Sequence, residues 1–422
     1  MRQRVNLRTQ RRKFSLPNGA VCRPVACILL AAAVAVFLAG GTASPRAATS
    51  MTGQNHTFQT SVPNAILIEP QSDSILFEKN ADQPVEPASL AKLMTLEYLF
   101  NQIKQGRLKL DQQFTISENA WRKGGAPSHG TTMFAAIHSQ VGLDDLIHGI
   151  VVDSANDACI AIAEGLAGSD AAFGELLTKR AREIGLQHST FANSTGYADP
   201  DEHVTVHDIA ELSRHLIYDY PQFYSYFALR DFTWNNIHQQ NRNPLLGMGI
   251  GADGLKTGET PDSGYGLAGS AVQDDRRLIV VLTGAKSDKE RAEEARKILE
   301  WGFRSFEMRV LFAEGQTIGS ARVFGGARSY VPLIAPGTIR LMMPRDNDEP
   351  LSARIDYMGP IPAPVSKGQA IGTLKVWRGD TLALAVPLQA AANVGKGSMS
   401  QRAMDGISEL MIGLFRAGVS RL

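Results

Sequence analysis

Three short segments, far apart in the chain, constrain this sequence more than anything else in it. They are Ser89-Leu90-Ala91-Lys92, then Ser154-Ala155-Asn156, then Lys256-Thr257-Gly258, the later two starting 65 and 167 residues beyond Ser89. The first alone says little, since a Ser-x-x-Lys also fits a surface helix start with a lysine stretched back to water. A Ser-x-Asn by itself is an ordinary helix cap. In this order the three carry chemistry. A serine hydroxyl is a poor nucleophile until a base takes its proton. A helix is predicted to start near Ala88, with Leu90, Leu93, Leu96 and Phe100 on one face. Ser89 then falls in the first turn, where free N–H groups and the helix dipole favour developing negative charge. Lys92, three residues on, shares that face and reaches Ser89. To act as a base it must be neutral, and burial and a second cation, Lys256, would both lower its pKa.

The rest of the chain is read around these segments. At 422 residues it exceeds one ordinary core, so two domains and a targeting segment are expected. An apolar share of 44% with 20% charged residues is globular, and a net charge of +1 makes no case for nucleic acid. Arg2, Arg4, Arg8, Arg11, Arg12 and Lys13 form a basic start, an apolar run follows from Val25 to Ala39, and small residues lie at 44–48. That run is shorter than the about 20 residues of a membrane span, so residues 1–47 are read as a removed signal peptide, the alternative being an uncleaved anchor. Arg11-Arg12-Lys13-Phe14-Ser15-Leu16 also resembles a twin-arginine export signal beside the general secretion route; both lead out of the cytoplasm. Cys22 and Cys27 lie in that segment, leaving Cys159, in an apolar stretch, as a core residue without a disulfide partner.

Ala65–Ile68 and Ile75–Phe77 flank Gln71-Ser72-Asp73-Ser74 and read as a β-hairpin. Helices are predicted at about 143–152, 156–167, 170–185, 206–218 and 288–304, and strands near 264–272 and 277–285. Strands at both ends of a helical run predict one sheet built from the two termini of an α+β domain over 57–306, with Lys256-Thr257-Gly258 preceding the 264–272 strand. From 307 to 390 short β-rich runs alternate with Gly and Pro, predicting a small β-sandwich. Residues 396–422 turn helical again, with Met404, Ile407, Met411, Leu414 and Phe415 on one face.

The motif set resembles that of the penicillin-recognising serine acyl-transferases, and within them the D-alanyl-D-alanine carboxypeptidases, which are low-molecular-weight penicillin-binding proteins. The small middle residue of Ser154-Ala155-Asn156, Glu86-Pro87-Ala88 before the nucleophile, and Asp253-Gly254-Leu255 before the lysine fit that subfamily. The resemblance implies a β-lactamase/transpeptidase-like fold, an antiparallel sheet covered by helices, with the β-sandwich and a C-terminal amphipathic helix behind it. It implies that Ser89 is acylated, that Ser154 shuttles a proton to the leaving amine, and that Asn156 binds the substrate amide. Lys256 supplies positive charge, the Thr257 hydroxyl bonds the terminal carboxylate, and Gly258 leaves space along the strand edge. The oxyanion donors would be Ser89 and a residue just after Gly258, with Thr260 preferred. Arg242, in Asn241-Arg242-Asn243, either helps hold the carboxylate or bridges loops. Thr190-Phe191-Ala192-Asn193 and Gly196 are expected to fix a loop. The substrate implied is the peptidoglycan stem peptide, β-lactams would inhibit, and no cofactor or metal is implied. The location implied is periplasmic, with the tail helix on the outer face of the cytoplasmic membrane; a helix docked on its own protein is the alternative. Glu259 departs from the His usual after Lys-Thr-Gly, and is expected to weaken binding of an anionic peptide end.

Three other functions would use the same or neighbouring residues. A penicillin-binding sensor or scaffold would keep the motifs with little turnover. A class A β-lactamase would carry Glu-x-x-Leu-Asn between Ser154 and Lys256, and this chain has none. A zinc peptidase would use His203 and His207, but Thr205 or Asp208 would start the helix there, so the two need not share a face and read as loop histidines. Gly247–Gly251 lacks the β-α-β frame of a nucleotide loop and reads as a flexible approach to Lys-Thr-Gly.

Overall fold

The computed structural model describes residues 2–5, 49–50, 58–345, 350–379 and 381–407. Most of the 1–47 segment and the tail beyond 407 lie outside them. The central sheet of the first domain contains β1 Asn64–Glu69, β2 Ser74–Lys79, β3 Ala252–Thr260, β4 Gly264–Gln273 and β5 Arg276–Ala285, in the order β2-β1-β5-β4-β3. All neighbouring pairs of these five are antiparallel, and Thr49–Ser50 adds a short parallel piece outside β2. β1 is buried along its whole length, as the run Ala65-Ile66-Leu67-Ile68 requires of a strand covered on both faces. Its pairing with β5 joins the two termini of the domain.

The helices are α1 Lys92–Lys104, α2 Glu118–Gly124, α3 Leu143–His148, α4 Asn156–Ala167, α5 Asp170–Glu183, α6 Val206–Asp219, α7 Pro221–Tyr224 and α8 Asp288–Ser305. Their starts follow capping chemistry. The side chains of Ser169, Thr205 and Ser287 accept the N–H three residues on, at the heads of α5, α6 and α8. One core, including Ile66, Ile68, Leu93, Leu96, Phe100 and Ile209, packs helices on one sheet face; a second, including Leu67, Leu267, Leu278, Ile298 and Leu299, packs α8 on the other. α1 is tied down by Glu97, fully buried, which accepts from Arg180 Nη2 at 2.8 Å, His215 Nε2 at 3.0 Å and Tyr220 Oη at 3.0 Å.

Two features differ from expectation. Lys256-Thr257-Gly258 does not merely precede a strand; it lies inside β3, which is the edge strand of the sheet. A hairpin, Asp231–Trp234 with Ile237–Gln240, was not foreseen; Asn235 and Asn236 turn it with φ of 50° and 59°.

Behind Ser305, a seven-stranded sheet and the pair Phe306–Phe312 with Ile339–Pro344 enclose one core, in which Phe312, Leu341 and Met343 meet Val331, Ile355, Leu374 and Val376. This is the β-sandwich. Arg2–Val5 runs as an added edge strand along Leu351–Tyr357. The tail helix begins at 399 and exposes Met399, Met404 and Ile407, while Asp405 Oδ2 accepts from Gly325 N at 2.8 Å. Among the described residues, no helix is long and apolar enough to cross a membrane.

Candidate active site

A cleft of about 1480 Å³ opens between the exposed edge of β3 and the helical lobe. It is lined by residues from all three motifs: Ser89, Ser154, Asn156, Thr257 and Gly258, with Arg242, Glu259 and Thr260 beside them.

Ser89 sits on a 3-10 turn, Ala88–Ala91, that leads into α1. Its N–H belongs to the first turn and so has no partner within the helix. Ala88 enters that turn with φ 48°, a left-handed conformation that a residue with a Cβ adopts only under constraint. Lys92 Nζ donates to Ser89 Oγ at 2.8 Å and to the Thr195 carbonyl at 2.7 Å. Lys92 is inaccessible to solvent, and burial lowers its pKa to about 8.

Across the cleft, Lys256 Nζ donates to Ser154 Oγ at 2.9 Å and to the Thr257 carbonyl at 3.1 Å. Burial first, then repulsion from Lys92 and Arg242, pushes its pKa well down. Ser154 ends a helical turn, Gly149–Asp153, in the left-handed region at φ 59°. That turn stands Oγ at the cleft wall and lets α4 start at Asn156. Asn156 is held at two points, its N–H donating to the Thr131 carbonyl at 2.9 Å and its Nδ2 to Tyr197 Oη at 2.9 Å, while its Oδ1 is buried without a partner among the described residues. Asp157, next in line, holds the facing segment through Thr132 Oγ1 and the N–H groups of Met133 and Ala135.

Cys159 is fully buried behind the two lysines, as its sequence context predicts, and burial raises its thiol to about 12. A thiol raised that far stays protonated at neutral pH. The loop after α5 is organised by Asn193, whose Oδ1 accepts the N–H groups of Thr195, Gly196 and Tyr197. Loop fixing is what was expected of these residues, and through Thr195 the loop also supports Lys92.

The pleat of β3 decides which groups face the cleft. Val272 N donates to the Gly251 carbonyl, so even-numbered residues of β4 bond toward β3. Lys256, Gly258 and Thr260 pair with Ala268, Gly266 and Gly264, and therefore bond inward. Thr257 and Glu259 turn their N–H and carbonyl groups to the open edge, consistent with the Thr257 carbonyl meeting Lys256 Nζ. Thr260 is thus misplaced as an oxyanion donor, and the free N–H after Gly258 belongs to Glu259. The Thr260 hydroxyl is occupied instead with Ser263 Oγ, at 2.6 Å, and Glu86.

Gly258 also differs in its reason. A Cβ there would stand 3.0 Å from the Pro87 carbonyl and 3.1 Å from Leu90 N, so the missing side chain admits the nucleophile turn, not substrate. The Glu259 side chain is opposite Tyr265 across the β3–β4 pair, and Arg291 lies 5.5 Å over the Tyr265 ring. Arg242 is exposed at the cleft wall and its Nε donates to the Asp153 carbonyl at 3.1 Å, which leaves the rest of its fork open. His203 precedes α6, and His207 pairs with Asp82 at 2.9 Å, so the two do not converge. Tyr197 was missed altogether.

The family pattern described as D-alanyl-D-alanine carboxypeptidase matches residues 49–287, and the one described as the C-terminal domain of penicillin-binding protein 5 matches residues 306–396. The D-alanyl-D-alanine carboxypeptidase DacC of Escherichia coli strain K12 is 37% identical over 343 residues, spanning 81% of this chain and 86% of that protein. Among solved structures, penicillin-binding protein 5 from Haemophilus influenzae aligns with a TM-score of 0.73 at 34% identity, covering 80% of this chain and 99% of that one. Penicillin-binding protein D2 from Listeria monocytogenes, in its ampicillin-bound form, aligns with a TM-score of 0.52 at 25% identity, covering 59% and 100%.

Proposed function

Because the chain belongs to the D-alanyl-D-alanine carboxypeptidase family, we propose that it removes the terminal D-alanine from peptidoglycan stem peptides through an acyl-enzyme on Ser89. The observation that carries this is the 2.8 Å contact between Ser89 Oγ and a buried lysine amine whose pKa is brought down to about 8. Neutral Lys92 takes the Ser89 proton as Oγ attacks the penultimate carbonyl carbon. The oxyanion is met by the N–H groups of Ser89 and Glu259, in place of Thr260. The leaving amine takes its proton from Ser154, held by Lys256 at 2.9 Å, and the proton taken up by Lys92 replaces it, so the C–N bond breaks, D-alanine departs and both lysines return to their starting state. Water then cleaves the ester, freeing Ser89 and the shortened peptide.

Binding follows from the same walls. The peptide lies along the edge of β3 as an added strand, its amide N–H meeting Asn156 Oδ1. Its carboxylate meets Thr257 and the open fork of Arg242, whereas Lys256, buried and with its pKa pushed down, serves Ser154 rather than the carboxylate as a standing charge, and Gly258 keeps the nucleophile turn close to that strand. A β-lactam would occupy the same groups and acylate Ser89. The expected result is release of free D-alanine from a muramyl pentapeptide by residues 48–422. Release should vanish in Ser89→Ala, persist in EDTA and stop with penicillin. Penicillin labelling of Ser89 without any D-alanine release would instead support a sensor or scaffold.

Residues 1–47 act in this reading as an export signal, 57–306 as the catalytic domain, 307–390 as a separate β-domain, and 396–422 as an amphipathic helix on the outer face of the cytoplasmic membrane. The exposed Met399, Met404 and Ile407 favour the membrane, whereas the Asp405 bond to Gly325 supports docking of the first turns. A chain ending at Ala392 should leave vesicles of anionic phospholipid that the full mature chain binds, with D-alanine release unchanged. Equal binding by both would remove the tail from this role.

A further inference from the structure

Tyr197 reaches the cleft from the loop after α5, 41 residues from Asn156 in sequence, and more than a third of it remains exposed there. Its hydroxyl donates to the Lys123 carbonyl at 2.8 Å, at the end of α2. A carbonyl oxygen only accepts, so the single phenolic proton is spent on Lys123. What remains on the hydroxyl is acceptor capacity, and only a donor can meet it. The amide of Asn156 has its Nδ2 there, at 2.9 Å. The backbone of Asn156 is already set by its bond to the Thr131 carbonyl, so the open question at this residue is which end of the amide faces the cleft.

We propose that Tyr197 is a positioning residue: through its bond to Lys123 it forces Nδ2 of Asn156 away from the substrate and presents Oδ1 as the acceptor for the substrate amide N–H. The inference rests on the reading of Asn156 as the substrate-amide contact. It accounts for two further observations. Oδ1 of Asn156 is among the few buried polar atoms without a partner, which is the state of an acceptor kept for an incoming donor. Gly130 lies beside the pair, where a Cβ would stand 3.2 Å from Asn156 Nδ2 and 3.6 Å from Tyr197 Oη, so the missing side chain leaves room for this contact. Tyr197 itself is held from behind, its N–H donating to Asn193 Oδ1 at 3.0 Å and its carbonyl accepting from Asn193 Nδ2 at 2.9 Å, so the backbone that carries the ring is fixed independently of Asn156.

Without the hydroxyl, either end of the Asn156 amide can face the cleft, and the wrong end sets N–H against N–H. The test is a double-mutant cycle with Tyr197→Phe and Asn156→Ala, reading kcat/KM for D-alanine release, the rate of Ser89 acylation by penicillin, and Tm. Tyr197→Phe keeps the ring and is expected to lower kcat/KM about tenfold with Tm nearly unchanged. Asn156→Ala is expected to lower it further. In the Asn156→Ala background, Tyr197→Phe should then cost nothing more. An equal loss from Tyr197→Phe in both backgrounds would overturn the positioning role while leaving Asn156 as a substrate contact. Full activity in Asn156→Ala would overturn the reading of Asn156 and the inference with it. Tyr197→Phe as active as the parent, beside an impaired Asn156→Ala, would overturn the inference alone.

Discussion

Lys92→Ala should yield a folded protein whose Ser89 is acylated on the order of 10³-fold more slowly or worse, because a positioned general base commonly contributes 10²–10⁴-fold and no other neutral amine touches Ser89 Oγ among the described residues. The companion Lys92→Met keeps the space filled. It should match or exceed the parent in Tm, since an inaccessible amine is costly to bury and methionine is not. In the parent the pH dependence has a definite sign. The reactive form is the neutral amine, and burial sets its pKa at about 8, so acylation should climb about tenfold per pH unit below that value and level off above it. Rates of fluorescent-penicillin labelling of Ser89 between pH 6 and 10 read both effects. Acylation by Lys92→Met at the parental rate would remove Lys92 as the base.

Gly196→Ala should be the most damaging single change outside the reacting groups. Gly196 has φ +78°, and a Cβ there would lie 1.8 Å from the Ala88 carbonyl oxygen. That contact is between backbones, so no side chain can swing aside. Either the turn bearing Ser89 moves, or the 193–197 loop lifts and takes the Thr195 carbonyl from Lys92. We expect a loss of about 2–4 kcal/mol in stability from clash and backbone strain together. Displacement of the reacting groups should lower kcat/KM on the order of 10²-fold. Gly185→Ala separates the two causes, because Gly185 also has a left-handed φ, +94°, but nothing within 4 Å of its Cβ position. It should cost about 1 kcal/mol with activity intact. Similar losses in both variants would mean that strain, not the approach to Ala88, explains Gly196.

The sequence displays the capped, amphipathic parts of this fold plainly. α4 occupies 156–167 as read, and α6 and α8 fall within a residue of the predicted 206–218 and 288–304. α6 and α8 carry Thr205 and Ser287 as side-chain caps and a periodic apolar face, both local signals, whereas α4 has no side-chain cap and shows instead as a mostly apolar run, buried from Asn156 to Ala163. β3 was harder to see because Gly254, Lys256 and Gly258 break any apolar alternation; it is a strand because β4 offers it partners. The oxyanion donor was misassigned for a related reason. An irregularity where Asp253 and Gly254 stand against Ser270 offsets the pairing by one residue, and that offset turns Glu259 instead of Thr260 outward. The 231–240 hairpin had a readable cue in Asn235-Asn236, a pair suited to left-handed turn positions. No local cue could have linked Tyr197 to Asn156, since only the packing of α2, α4 and the 193–197 loop makes them neighbours.

An unpaired strand edge such as that of β3 is a hazard in most proteins, because it invites the sheets of other molecules to continue it. Here the helical lobe stands opposite that edge, with Tyr197, Asn156 and Ser154 on the far wall, so another folded sheet has no room to approach. A single extended chain lying in that cleft could pair with the edge without meeting the lobe. The lobe thereby guards the molecule against edge-to-edge pairing with its own copies.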